Sequence, residues 1–296
     1  MYKNIIPNLI SFDTVLNRIN GFSFAENFNF FKKVSKPEIF HYKIEIKKNI
    51  FIPRDYDFRN GFYFKKDDNW YYERFFFGIS LKLRFDIKNK IFYFNKNYSY
   101  IPFEIGGICP VGKHISDLIN MDLFFNGYNI FRGCAFLYKG KVFCLIAPGF
   151  NGKTSFMCEM IKNGAKYIAE DILIINNDKK NVYPSGCFKK NFGRSINKKL
   201  FKNIQKNILS ESIAYDYLFL IENFTTSVDK NNQIESKNIN NFLPVCSLFF
   251  ISNNFIRSIL SEKNNFLEFF KKIEDIKNNL NFKYIKIKDF NFKKIL

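Results

Sequence analysis

Residues 141–175 read KVFCLIAPGFNGKTSFMCEMIKNGAKYIAEDILII, and this run constrains the fold more than any other part of the chain. An apolar segment, Lys141–Ile146, is followed by a Gly-containing turn. Helical spacing then covers Thr154–Asn163, and Gly164 stands where helices take a left-handed cap. A strand is predicted over Lys166–Ala169. The apolar run Ile172–Ile175 follows it and ends in the turn Asn176–Lys180. Strand, turn, helix and strand in this order need a sheet with a helix packed against it, so the fold class is α/β (α+β).

The turn itself is Ala147-Pro148-Gly149-Phe150-Asn151-Gly152-Lys153-Thr154, a relaxed phosphate-loop (Walker A) pattern with Ala in the first glycine position. Successive backbone N–H groups in such a loop curl around a phosphate, and the following helix aims its positive end at the same anion. Gly152 permits close approach of the backbone. Lys153 supplies a point charge, and the Thr154 hydroxyl is suited to Mg²⁺. The nucleotide-binding candidates are therefore Ala147, Pro148, Gly149, Phe150, Asn151, Gly152, Lys153, Thr154 and Ser155. Seventeen and eighteen positions past Lys153 come Glu170 and Asp171, two acids inside an apolar stretch. Carboxylates are expensive to bury without a cation. A metal-bound triphosphate would offset that cost. The expected roles are Glu170 and Lys153 as catalytic groups, with Thr154 and Asp171 holding the metal.

The formal charge is +19, yet only 8 of 46 basic residues are Arg, and the lysines are spread along the chain. Lys, Asn, Ile and 40 Phe are inflated together, which reads as a chain-wide bias. Beyond generic electrostatics it argues against a dedicated nucleic-acid surface. The six cysteines show no C-x-x-C spacing, and His41 and His114 are the only histidines, so reduced thiols and no structural zinc are expected. No window reaches the roughly 18 apolar residues of a membrane span. The N-terminal MYKNIIPNLISFD has no basic start before an apolar region. A cytoplasmic location without membrane contact is the expectation.

Short aromatic or β-branched segments fill the first hundred residues: Tyr42–Lys47, Asn49–Pro53, Gly61–Lys65, Trp70–Phe77, Ser80–Ile87 and Lys90–Phe94. Gly and Pro concentrate in Ile101–Val111 and mark a hinge. The predicted division is a β-rich region 1–105 and a nucleotide-binding domain 106–296. In the second part a helix is expected at Ile115–Phe125 and strands at Ala135–Tyr138, Tyr217–Glu222 and Tyr284–Ile287. Further helices are expected near Lys198–Leu209, Leu243–Ile251 and Asn265–Asn279, with a polar loop over Asn223–Asn238.

Over Lys139–Pro184 the chain resembles the HPr kinase/phosphorylase-like P-loop kinases, which share a loop arrangement with ATP-dependent phosphoenolpyruvate carboxykinases. The resemblance lies in the strand, the GKT loop, the helix, the phrase Gly164-Ala165-Lys166-Tyr167-Ile168, the acidic pair, the apolar strand, the turn and Pro184. It implies a P-loop kinase core preceded by a small β-rich region. ATP and Mg²⁺ are the implied cofactors, with transfer to a serine-type hydroxyl on a small molecule or peptide. The chain departs from the family pattern at Gly149 and Phe150 in the loop, where Ser and Gly are usual, at Glu170 for the first acid, and at Arg132-Gly133 where a His-Gly is common. The second signature of HPr-directed enzymes is absent, so HPr is not the expected acceptor. Lys189, Lys190 and Arg194 are further candidates for phosphate contact. The alternative is a nucleotide-binding regulatory protein whose loop transfers nothing. Homo-oligomerisation stays open.

Overall fold

The computed structural model describes residues 1–25, 27–102, 108–147, 153–176, 178–186, 204, 208–221, 263–279 and 283–285. The chain divides into two compact units, Met1–Asp122 with Asn253–Leu267, and Leu123–Ser252 with Glu268–Leu296. The division at 105/106 expected from the sequence lies outside the described residues, as does most of the Gly-rich part of the hinge.

The first unit is built on an eight-stranded sheet: β1 (Lys3–Ile6), β2 (Ile10–Asp13), β3 (Phe40–Lys47), β4 (Phe58–Asn60), β5 (Tyr63–Lys66), β6 (Asn69–Phe76), β7 (Ile79–Asp86) and β8 (Ile91–Asn95). Its order is β1-β2-β3-β8-β7-β6-β5-β4. Strands β4 to β8 form an antiparallel meander, while β3 lies parallel to both β8 and β2. Two-residue alternation sets the faces. Tyr72, Leu81, Leu83, Phe85, Phe92 and Phe94 are buried on one side; Glu73, Lys82, Arg84 and Tyr93 keep partial exposure on the other.

One strand expected from the sequence is absent in this unit, and two others appear unannounced. Asn49–Pro53 forms no strand: Pro53 has no N–H to give a ladder, and Phe51 is 82% exposed. Nothing in the sequence announces β1 and β2, because four residues buried almost throughout carry no readable period. A single 3₁₀ stretch, Lys96–Tyr100, follows β8. The helix α1 (Val111–Phe125) then starts four residues earlier than expected, directly after Pro110, whose fixed φ suits a helix start.

The second unit holds a seven-stranded sheet among the described residues: β9 (Tyr128–Tyr138), β10 (Lys141–Ile146), β11 (Lys166–Asn176), β12 (Asn181–Tyr183), β13 (Ile213–Ala214), β14 (Tyr217–Ile221) and β15 (Lys283–Ile285). The order is β13-β12-β11-β9-β10-β14-β15. Strands β10 and β11 both run antiparallel to β9, so they run parallel to each other with β9 between them. The helix α2 (Lys153–Lys162) makes that crossover. Strand β14 adds parallel to β10, and β15 parallel to β14. A last helix, α3 (Lys263–Asn279), contributes Phe269, which packs on Phe124 at 5.4 Å between ring centroids.

Only the last four residues of β9 are expected from sequence, since Asn129, Arg132 and Gly133 interrupt its apolar pattern. A second correction bears on the site. The sequence places the acidic pair at a strand end, but β11 runs unbroken through Glu170 and Asp171. Strand β9 pairs with it from Lys166↔Leu137 to Asn176↔Tyr128, with one register shift between Tyr167 and Ala169. That ladder carries the backbone through the acids. The helix predicted at Leu243–Ile251 and the loop at Asn223–Asn238 lie outside the described residues. So does nearly all of the helix predicted at Lys198–Leu209. No helix among the described residues is long and apolar enough to cross a membrane.

Candidate functional site

Strand β10 delivers the chain to the loop. Its last residue, Ile146, faces Gly133 on β9, and Gly133 faces Asp171 on β11. One row back, Leu145 faces Cys134 and Cys134 faces Glu170. With strands about 4.8 Å apart, the acidic pair lies two strands, or about 10 Å, from the end of β10. The pair is thus beside the mouth of the loop although it is far along the chain.

The N–H of Ala147 donates to the carbonyl of Arg132 at 3.1 Å and fixes the end of β10 against β9. Pro148, Gly149, Phe150, Asn151 and Gly152 lie outside the described residues, as do the side chains of Thr154 and Ser155 within α2. Lys153 opens α2 and is only 8% exposed; its Nζ donates to the Ala147 carbonyl at 3.0 Å. The two ends of the predicted loop are therefore tied to each other by a charge-assisted bond.

Glu170 is 3% exposed. It shares a sheet face with Cys134, directly opposite on β9. The Cys134 thiol is pushed up to about 12, chiefly by burial; Lys153 opposes this and Glu170 adds to it. Both charges thus lie within electrostatic reach of one sulfur atom. Cys158, on α2, is also raised by burial and by Glu170. Glu170 thus lies within electrostatic reach of the helix that carries Lys153.

Three residues that carry no motif complete the surroundings. Ser185, 1% exposed, donates its N–H to the Ile168 carbonyl and accepts from the Glu170 N–H at 3.3 Å, closing the far side of β11. Its position just after Pro184 is the only sequence hint. Gly133 has no room for a side chain: a Cβ there would stand 2.6 Å from the Leu145 carbonyl oxygen and 2.9 Å from Leu173 Cδ2. Arg132 shares its face with Glu170 and is half-buried, and its Nε is buried without a hydrogen-bond partner among the described residues.

Asp171, half-buried, has φ +67° inside a strand. For a residue with a Cβ that conformation costs about 1–2 kcal/mol. Strain of this kind persists only where the surroundings impose it. Among the described residues, no group of three or more His, Cys, Asp or Glu side chains could hold a metal ion by itself. Lys189, Lys190 and Arg194 lie outside the described residues.

Compared with known proteins, the chain matches no protein-family model and no curated sequence. The chemistry of the site therefore rests on its own residues. A buried cation opens a helix at the mouth of a tied loop, one carboxylate is buried beside it, and a second sits next in the chain on a strained backbone.

Proposed function

We propose that the second unit binds a nucleoside triphosphate at residues 147–155 and transfers its terminal phosphoryl group to a hydroxyl, as an ATP-dependent kinase of HPr kinase-like type. The observation that carries this reading is the convergence of Lys153 and Glu170, 8% and 3% exposed, at one end of β10. A cation and a carboxylate brought together at the end of a strand–loop–helix turn are the two groups that holding a polyphosphate and accepting a proton from its acceptor would use.

In this reading Lys153 and the amides of the loop and of the α2 N-terminus hold the phosphates. The acceptor oxygen attacks the γ-phosphorus in line, the bond to the β,γ-bridging oxygen breaks, and the acceptor proton passes to the Glu170 carboxylate. Oxygen donors suit Mg²⁺, which takes one or two protein ligands and completes its shell with phosphate oxygens and water. Thr154 and Asp171 would hold it, and it would neutralise charge on the phosphates. The acceptor would be a small hydroxyl compound or a peptide.

Calorimetric titration with Mg·ATP tests the reading. Lys153→Ala should weaken binding by about 100-fold or more while the melting profile stays cooperative. Unchanged affinity would refute the loop assignment. A second reading, nucleotide binding without transfer, is favoured by the burial of Glu170, because an acceptor hydroxyl has to reach that carboxylate. Nucleotide consumption in the presence of hydroxyl-bearing compounds separates the two.

A further inference from the structure

The sequence discounts the +19 charge because lysines are scattered, but the arginines are not: four of the eight fall between Arg54 and Arg84. Strand register then aligns part of this segment. Arg59 faces Phe64, Phe64 faces Tyr71, Tyr71 faces Arg84 and Arg84 faces Tyr93, one side chain per strand from β4 to β8. Cross-strand partners share a face. This row therefore crosses the side of the sheet opposite the row Trp70–Phe85–Phe92, whose members are each at most 3% exposed.

Cations cap the rings of the row. The Arg59 guanidinium lies 5.1 Å from the centre of the Phe64 ring, and Arg84 and Lys47 lie 5.4 and 5.3 Å from that of Tyr93. At the β4 end the face opens into a cleft of about 650 Å³, lined in part by Phe51, Arg54, Tyr56, Arg59, Phe64 and Lys82. Phe51 is 82% exposed and Tyr56 37%. The nearby acids are already engaged. Glu73 binds Lys82 at 2.9 Å, Glu45 binds Lys43 at 2.7 Å, Asp86 lies 3.8 Å from Arg84, and Asp55 and Asp57 both face Lys66. Arg54 and Arg59 make no ion pair among the described residues.

We propose that this outer face of the first unit binds single-stranded nucleic acid, with the phosphates on Arg54 and Arg59 and unpaired bases stacked on Phe51 and Tyr56. Arginine forks grip phosphates, and exposed rings accept any base by its π-face. A duplex keeps its bases stacked on each other and leaves the rings unused. An acidic peptide would satisfy the guanidinium groups but gives the exposed rings nothing to stack on.

The test uses the full chain and fluorescence anisotropy with labelled single strands of RNA and of DNA about 12 nucleotides long, the matching duplex, and poly-glutamate as competitor, at several salt concentrations. Single strands should bind more tightly than the duplex. Phe51→Ala and Tyr56→Ala should each lower affinity about 5-fold or more without changing the salt slope. Arg54→Ala and Arg59→Ala should lower affinity and reduce that slope by about 0.7 per lost phosphate contact. Lys162→Ala with Lys179→Ala, two exposed positions of the second unit, should leave the discrimination between single strand and duplex unchanged. The proposal is overturned if the aromatic variants bind as the parent does, since the net charge alone then accounts for binding. It is equally overturned if the duplex binds as well as the single strands, if poly-glutamate displaces them charge for charge, or if no strand binds.

Discussion

Along β7 buried and part-exposed residues alternate: Leu81, Leu83 and Phe85 point into the core and Lys82 and Arg84 toward water. Along β9, β10 and β11 nearly every residue is buried, on both faces of the sheet. The difference changes what a charged side chain means. On the first sheet Glu73 and Lys82 pair at 2.9 Å with more than a fifth of each side chain still in water, an arrangement worth at most about 1 kcal/mol. In the second unit water cannot screen Lys153 or Glu170, and either one left alone would be strongly destabilising. Charge on a one-faced sheet is ordinary surface chemistry. Within a two-faced sheet it needs a ligand or a partner to explain it.

The largest expected contrast lies between two glutamates. Glu170→Gln should lower phosphoryl transfer by about 100-fold while Mg·ATP still binds, and Asp171→Asn should weaken the metal-dependent part of binding. Glu73→Gln should leave stability within about 0.5 kcal/mol of the parent and transfer unaffected. Single-turnover assays and calorimetry on the three variants decide the matter. Small, equal effects would reduce the acidic pair to a structural feature and erase the contrast.

Next in size is a pair of glycines. Gly133→Ala pushes a methyl group against a carbonyl oxygen 2.6 Å away and should cost about 2–3 kcal/mol in urea unfolding. Gly78, in the β6–β7 turn at φ +76°, has nothing within 4 Å of the position a methyl group would take, so Gly78→Ala should cost only about 1 kcal/mol of backbone strain. Equal losses would mean that packing around β9 is looser than its burial indicates.

Acid should act on the first unit through His114. It is 1% exposed and packs against Tyr72 at 4.6 Å between ring centroids. Burial, with a smaller contribution from Lys113, lowers its pKa to about 3. Between the ordinary histidine value near 6.5 and about 3, the unfolded chain takes up a proton that the folded chain refuses, so stability falls as pH falls. From pH 7 to pH 5 the loss should be about 2 kcal/mol. His114→Phe should flatten that part of the melting-temperature profile, leaving the weaker slope of His41, which burial also lowers. An unchanged profile would place the acid sensitivity elsewhere.

The smallest effects concern strained backbone. Phe77, 89% exposed at φ +46° in the β6–β7 turn, and Asp171 at φ +67° both occupy the left-handed region. Phe77→Asn and Asp171→Gly should each stabilise the protein by about 1 kcal/mol. Only the second should also weaken Mg-dependent nucleotide binding. Loss of binding in neither variant would detach the strain at Asp171 from any function.

Much of the second unit is legible in the sequence because local rules and tertiary context agree there. Apolar runs announce β10 and β14, and Gly164 ends α2 within a residue or two of its predicted stop. The GKT loop and the acidic pair are marked by residue types that have few other uses in an apolar setting. Legibility stops where a segment takes its structure from a distant partner. The first seven residues of β9 have no clean period, and the pairing of β9 with both β10 and β11 makes them a strand. Ser185 and Gly133 matter through what packs against them, which no spacing records.

By itself the sequence determined which segments alternate, where the Gly-Lys-Thr turn between a strand and a helix lies, and that Lys153, Glu170 and Asp171 stand out from their surroundings. Those properties depend on neighbours within a few positions. Tertiary structure alone decided that β9 runs between β10 and β11, so that Ile146, Gly133 and Asp171 fall in one row. It also buried Lys153 and Glu170 beside the same loop and aligned arginines with aromatic rings across five strands of the other sheet. Hydrogen-bond register between strands sets the two rows, because a shift of one residue would turn every side chain to the opposite face, and the crossover helix packed on the sheet buries Lys153.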